Sequence, residues 1–269
     1  MSAVAVEQHD TQVRAARPTP SRVPLTRVIE VETRKMFDTR SGFWLMMSIG
    51  IAAVLATGAV ILFAPDKELT YNTFAAAIGF PMSVILPMIA ILSVTSEWSQ
   101  RSGLTTFTLV PHRGRVITAK AVAALAVGVV SIPLAFAVGA LGNVLGTTIA
   151  GTDLVWNVSV VDGLYIVLGN VLGMAVGFML GVLIRNSAGA IVAYFVFTLL
   201  LPTISGVLAA NQSWYRHLQP WVDFNYAQGA VFDGGLTGTQ WAHLATAGAI
   251  WLLLPLLVGL ALVMRTEVK

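Results

Sequence analysis

The sequence predicts an all-α polytopic membrane protein with six transmembrane helices, and three observations carry that prediction. Six long apolar runs fill the 269 residues. Hydrophobic residues make up 56%, charged residues only 11%, and the mean hydropathy is +0.78. No water-soluble core needs that much apolar surface. Third, the polar gaps between the runs carry a lopsided charge. Threaded with the N-terminus in the cytoplasm, 14 of the 16 Lys and Arg residues fall on one side, leaving Lys67 and Arg216 on the other. The positive-inside rule predicts such a bias, so both termini are expected to be cytoplasmic. Acidic residues split seven inside and six outside, giving a net charge of +7 within and −4 without. The basic pI therefore reflects orientation and anionic lipid, with no nucleic-acid partner implied.

Residues 1–23 are rich in Ala, Pro, Arg and Ser and lack the apolar core of a signal peptide, so a disordered cytoplasmic segment is expected. Residues 24–269 form the membrane domain. It opens on an amphipathic entry helix over 24–40. Leu25, Val28, Ile29 and Met36 share one face, and Arg27, Glu30, Arg34 and Asp38 share the other. Such a helix lies along the inner leaflet, as an anchor, as a contact for a cytoplasmic partner, or as both.

The spans are predicted at Phe43–Ala64, Phe74–Thr95, Ala121–Leu145, Leu164–Ile184, Ser187–Leu208 and Leu244–Met264. Each is long enough to cross hydrocarbon with some tilt. Trp44, Trp98, Trp156 and Trp241 fall at or near their ends, where indoles favour the interface. Between the second and third spans, residues 96–120 exceed the few residues a turn needs, and contain a break at Pro111 and a basic turn. The fourth span repeats GxxxG through Gly169, Gly173, Gly177 and Gly181. That face permits close helix approach, either within the chain or in a dimer seam. Asn170 beside it is expected to bond to a neighbouring helix or to backbone. Between spans five and six, Trp214, Leu218, Trp221 and Val222 recur at helical spacing and predict a half-inserted helix on the outer face.

Several chemistries are missing from the sequence. The predicted spans contain no Asp, Glu, Lys or Arg, which argues against a membrane carboxylate coupled to protons. No Lys precedes Ser or Thr, so there is no Walker A loop, and uphill transport would need a separate ATPase. No cysteine is present, and His9, His112, His217 and His243 lack metal-ligand spacing, so no metal site is predicted. Ser205 and His243 raise an intramembrane serine protease reading, similar to rhomboids, although Thr203 stands where that motif has Gly. A membrane scaffold or assembly protein is the other alternative.

The segment from Glu97 through Arg101, Gly103-Leu104-Thr105, Pro111 and Arg113 to Lys120 resembles the cytoplasmic loop of type 2 ABC transporter permeases. The six spans and the entry helix with Arg34-Lys35 extend the resemblance over residues 24–265, and the entry helix is especially similar to permeases of actinobacterial export systems. In that family the loop carries Gly-Thr-Leu where this chain has Gly-Leu-Thr. The resemblance implies the membrane subunit of a bacterial exporter in the cytoplasmic membrane. It implies pairing with a second permease copy or a related one, and docking on ATPase subunits that bind ATP and Mg. No catalytic residue and no cofactor belong to the chain itself. Gln100–Leu109 would be the coupling helix. Glu97 and Arg101 would orient it, Gln100 would open it, and Gly103, Leu104, Thr105 and Thr106 would form its body. Arg113 and Lys120 would anchor its exit at the membrane surface, and Arg34 and Lys35 would add a contact to the ATPase or anionic lipid. The pathway would be lined by Gly79, Ser83, Ala90 and Ser93 of helix two and by Phe195, Thr198 and Pro202 of helix five. Tight packing of small residues explains each of these positions equally well. A lining this apolar suits a hydrophobic or amphipathic cargo.

Overall fold

A computed structural model describes residues 23–99 and 113–265, all of them helical or in connections, with no strand among them. The predicted coupling helix, including Gln100, Arg101, Gly103, Leu104, Thr105 and Thr106, lies outside the described residues, as do residues 1–22. Six helices are long and apolar enough to cross a membrane.

α1 (Leu25–Asp38) buries Val28, Glu32 and Met36, one turn apart, and leaves Arg34 paired with Glu30 on its exposed side. The extended conformation of Thr39 ends it, and the Thr39 hydroxyl accepts the Gly42 N–H to start α2 (Arg40–Phe63). A short connection with a 3₁₀ turn at Asp66–Glu68 leads to α3 (Tyr71–Ser99). α4 (Arg113–Ala150) follows, then α5 (Val160–Ile184), which opens with a Ser159/Asp162 capping box. α6 (Ser187–Asn211) is joined to α5 by two residues, and Arg185 takes a left-handed conformation at the turn. α7 (Ser213–Val222) and α8 (Phe224–Phe232) precede α9 (Gly238–Arg265).

The helices overrun the apolar runs. α4 has 38 residues, about 57 Å of helix, far more than hydrocarbon requires. Nothing in Arg115–Lys120 breaks a helix, so α4 begins well before its apolar stretch. Glu97, Lys120 and Asp162 are therefore inside helices rather than beyond their ends.

α3 and α5 form the centre. Leu86, Ile91 and Val94 of α3 are fully buried, and α5 contributes Met174, Val176 and Val182. The glycine face of α5 packs within the chain. A Cβ on Gly177 would stand 2.6 Å from the Pro87 carbonyl oxygen, and one on Gly181 3.3 Å from that of Ile91. Gly173 faces Pro87, and Gly169 lies under the Phe232 ring.

Proline shapes this crossing. Pro87 has no N–H for the Ser83 carbonyl four residues earlier, and the Tyr194 hydroxyl donates to that carbonyl at 2.8 Å. α6 widens into a π turn at Val196–Leu200, so the Phe197 carbonyl falls opposite Pro202, which again cannot donate. Asn225 Nδ2 supplies the missing bond at 3.0 Å. A second π turn, Ala249–Leu253 in α9, precedes Pro255.

The helix expected to be half-inserted divides in two. Trp214, Leu218 and Trp221 of α7 stay exposed. Asp223 is extended and accepts the Tyr226 N–H, and α8 starts there, sending Phe224, Ala227 and Val231 into the bundle. Asn143 is as polar as Asn170 and fully buried. Its Nδ2 donates to Val155 O at 2.9 Å, fixing the connection that also receives the Tyr71 N–H.

Gly177→Ala should overpack this seam and cost ~1–3 kcal/mol. Gly206→Ala, where a Cβ meets nothing within 4 Å, should be neutral or slightly stabilising. Thermal unfolding in detergent distinguishes the two.

Candidate functional site

Two constellations stand out, one at the α1 end of the bundle and one near mid-depth. The first is built by the buried side of α1. Lys120 Nζ lies 2.6 Å from Glu32 Oε2, and it donates to Ser93 O at 2.9 Å. Glu32 Oε1 binds Lys35 Nζ at 2.6 Å. Glu97 Oε1 stands 3.3 Å from Lys120 Nζ and 3.6 Å from Lys35 Nζ, yet takes no hydrogen bond among the described residues. Lys120, Glu97 and Glu32 are 3%, 4% and 5% exposed. For Lys35, burial opposes the charge, but the Glu32 and Glu97 carboxylates outweigh it and hold the ammonium above its ordinary range.

This cluster joins α1, α3 and α4 at the two helix ends that flank residues 100–112. Lys120, expected at the membrane surface, is instead among the least exposed polar residues. The reason is that Glu32 reaches it from α1. Glu32 is the member that sequence reasoning missed. Its position, four residues after Val28 and four before Met36, placed it on the buried face. Arg34 remains on the solvent side, and Arg113 opens α4.

The second constellation is a cavity of about 340 Å³ between α3, α5, α6 and α8. Ser83, Phe195 and Thr198 meet there, as do Gly169, Asn170 and Gly173. Gly79 lines a separate void of about 20 Å³. Ala90 is packed in the core, Ser93 is engaged by Lys120 through its carbonyl, and Pro202 lies outside the cavity lining. The pattern in the sequence did not show Tyr194, Asn225, Gln228 and Phe232, which complete the wall. α8 brings three of them, and Gln228 Nε2 ties it to the Gly169 carbonyl at 2.8 Å. Asn170 Nδ2 bonds to Ile166 O in its own helix at 2.8 Å, and its Oδ1 has no partner among the described residues.

Ser205 is buried and bonded to Asp223 Oδ2, to Tyr215 at 2.8 Å and to Gln219 at 3.1 Å. His243 stacks edge-on against Trp221. No hydrogen bond joins Ser205 to His243 among the described residues, so the pair lacks the contact a nucleophile and base require. No group of three potential metal ligands occurs among the described residues.

No protein-family model matches this chain. No curated protein matches it either.

Lys120→Met leaves two buried carboxylates without their main cation and should cost ~3–5 kcal/mol. Adding Glu32→Gln and Glu97→Gln to the same chain should recover part of that loss. Arg34→Ala, which removes an exposed pair, should change stability by less than about 1 kcal/mol. Thermal melts of the four proteins test the ranking.

Proposed function

We propose that the chain is the membrane permease subunit of a bacterial ABC exporter. It moves a hydrophobic or amphipathic substrate outward across the cytoplasmic membrane, with energy from a separate ATPase that binds ATP and Mg. The observation that carries this reading is the ion cluster at both ends of residues 100–112. A bare turn between two spans has no need of surplus length, basic residues and a clamp to a surface helix. A segment that receives force does need them. With α1, α3 and α4 locked together at Glu32, Lys120 and Glu97, a push on the segment moves three helices as one body. α3 then carries the motion to Pro87 and Ser83, on the wall of the mid-depth cavity.

The charge distribution supports the orientation, since it puts 100–112 and both termini on the cytoplasmic side. The absence of a Walker A loop in the sequence supports an outside energy source. Arg101, with Gln100 and Gly103 to Thr106, forms the ATPase contact. Glu97 and Lys120 transmit force from within the bundle. A second permease copy, identical or homologous, completes the pathway.

Reversal at Arg101 separates docking from folding, which reversal at the buried Glu97 cannot. Purified with an ATPase encoded beside it, the Arg101→Glu complex should assemble yet lose about tenfold in transport-coupled ATP turnover, equivalent to ~1.4 kcal/mol. Unchanged turnover sinks the coupling assignment, and failure of any ATPase to copurify sinks the exporter reading.

A further inference from the structure

A cavity of about 430 Å³ lies against α1, walled by α1, α2, α3 and α4, and shares no lining residue with the mid-depth cavity. Its size falls in the range of small-molecule sites. It is long: Ala126 and Val138 of α4 both line it, and they stand about 18 Å of helix apart. Its floor is buried at Ile49, Ala53 and Met82. On its rim, Phe37, Val130 and Leu134 are 49%, 61% and 62% exposed. Val130 and Leu134 belong to the apolar stretch of α4, so this rim opens sideways, towards lipid.

No residue of the lining is ionisable, so a charged molecule finds no partner there. The lining carries two side-chain hydroxyls, those of Thr33 and Ser131. Thr33 donates its proton to Ile29 O at 2.9 Å. Hydroxyls in apolar helices turn back in this way on a carbonyl three or four residues earlier, as Ser48, Ser93, Thr147 and Thr198 also do. Ser131 does not. It is only 8% exposed, yet its hydroxyl takes no hydrogen bond among the described residues. Thr57 Oγ1 is unpartnered too, but it is sealed in the core, whereas Ser131 Oγ keeps surface and its residue lines the cavity. An acyl chain would fill the space and leave that proton without an acceptor, where no water replaces one. A phospholipid's ester groups do not reach it either. Ser131 lies about 16 Å of helix beyond Lys120, roughly half the thickness of the hydrocarbon.

We infer that this groove binds a neutral, elongated apolar molecule that carries a carbonyl-type acceptor and enters sideways from the membrane. Ser131 Oγ donates to the acceptor, and the apolar body lies along α4. Met46 and Met82, unbranched and polarisable, let the wall adapt to its shape. That such a molecule is carried outward rests on the exporter reading, whereas binding does not.

The test uses the full chain alone, in phosphatidylcholine nanodiscs, with labelled residues located by mass spectrometry. The photoprobe is 4-hexylbenzophenone, a neutral ketone. The competitors are fluorenone and fluorene, which share a shape and differ by one carbonyl. Labelling of residues 46–53 and 126–138 should saturate. Fluorenone should displace it about fivefold more effectively than fluorene, a ratio that one hydrogen bond supports. Ser131→Ala should make the two competitors equal and leave displacement by fluorene unchanged, which a purely structural role would not do. Gly50 lines the cavity, and a Cβ on it meets nothing within 4 Å. Gly50→Leu should therefore abolish the labelling with the melting temperature unchanged. Equal displacement in the natural chain means that the groove holds acyl chains only, and overturns the inference. So does a ketone preference that survives Ser131→Ala, or labelling that survives Gly50→Leu. Because no ATPase is present, none of these results bears on the exporter reading, which has its own test.

Discussion

One ammonium holds the α1 end of this protein together. Lys120 sits between Glu32 and Glu97, and a fourth charge, Lys35, closes the set to neutrality. An isolated charge at that depth would be costly, and a buried pair adds little stability over apolar packing. What such a group gives is specificity. Only one placement of α1 satisfies Lys120, and that placement fixes the helix across the ends of α3 and α4. An amphipathic helix resting on lipid would slide. This one is held by the Glu32–Lys120 pair, with Lys35 near Glu97, and by Val28 and Met36 on either side of Glu32.

The same requirement, that polar groups in an apolar bundle find partners inside the chain, explains the mid-depth cavity. Pro87 and Pro202 each strip a carbonyl of its helical donor. Tyr194 and Asn225 replace the lost bonds from other helices. Those replacements need α6 close to α3 and α8 close to α6, and the glycine face of α5 gives the room. The cavity remains where the kinked helices cannot close fully against one another. Its polar character follows from the repair of the proline breaks.

Much of the fold was legible in the sequence because hydropathy dominates it. Six apolar runs became six helices with span-length apolar windows. The amphipathic pattern of residues 24–40 became α1, with Leu25, Val28, Ile29 and Met36 on its inner side. The candidate sites were less legible, for identifiable reasons. Glu32 fits the buried spacing, but a charge reads as solvent-facing until a partner 88 residues away is known. α8 was hidden because Trp214 and Trp221 gave α7 the stronger periodic signal, although α8 is the helix that enters the bundle. Pro87 cannot donate to the Ser83 carbonyl, yet nothing local indicated that Tyr194 would replace that bond. Ala90 and Ser93 looked like a pathway stripe, but small residues also mark close packing, and Ala90 is packed.

The central claim is that α1, α3 and α4 form one clamped body at the ends of residues 100–112. The natural chain has no cysteine, so two introduced thiols can be spin-labelled cleanly. Glu30 on α1 and Val122 on α4 are at least partly exposed and take no part in the clamp. Electron–electron distance measurements between Glu30→Cys and Val122→Cys should give one narrow distribution. It should be the same with and without ATP in a complex with the proposed ATPase, and should broaden when Lys120→Met is added. A distance that shifts with ATP in the otherwise natural chain, or a distribution that Lys120→Met leaves narrow, would contradict the account.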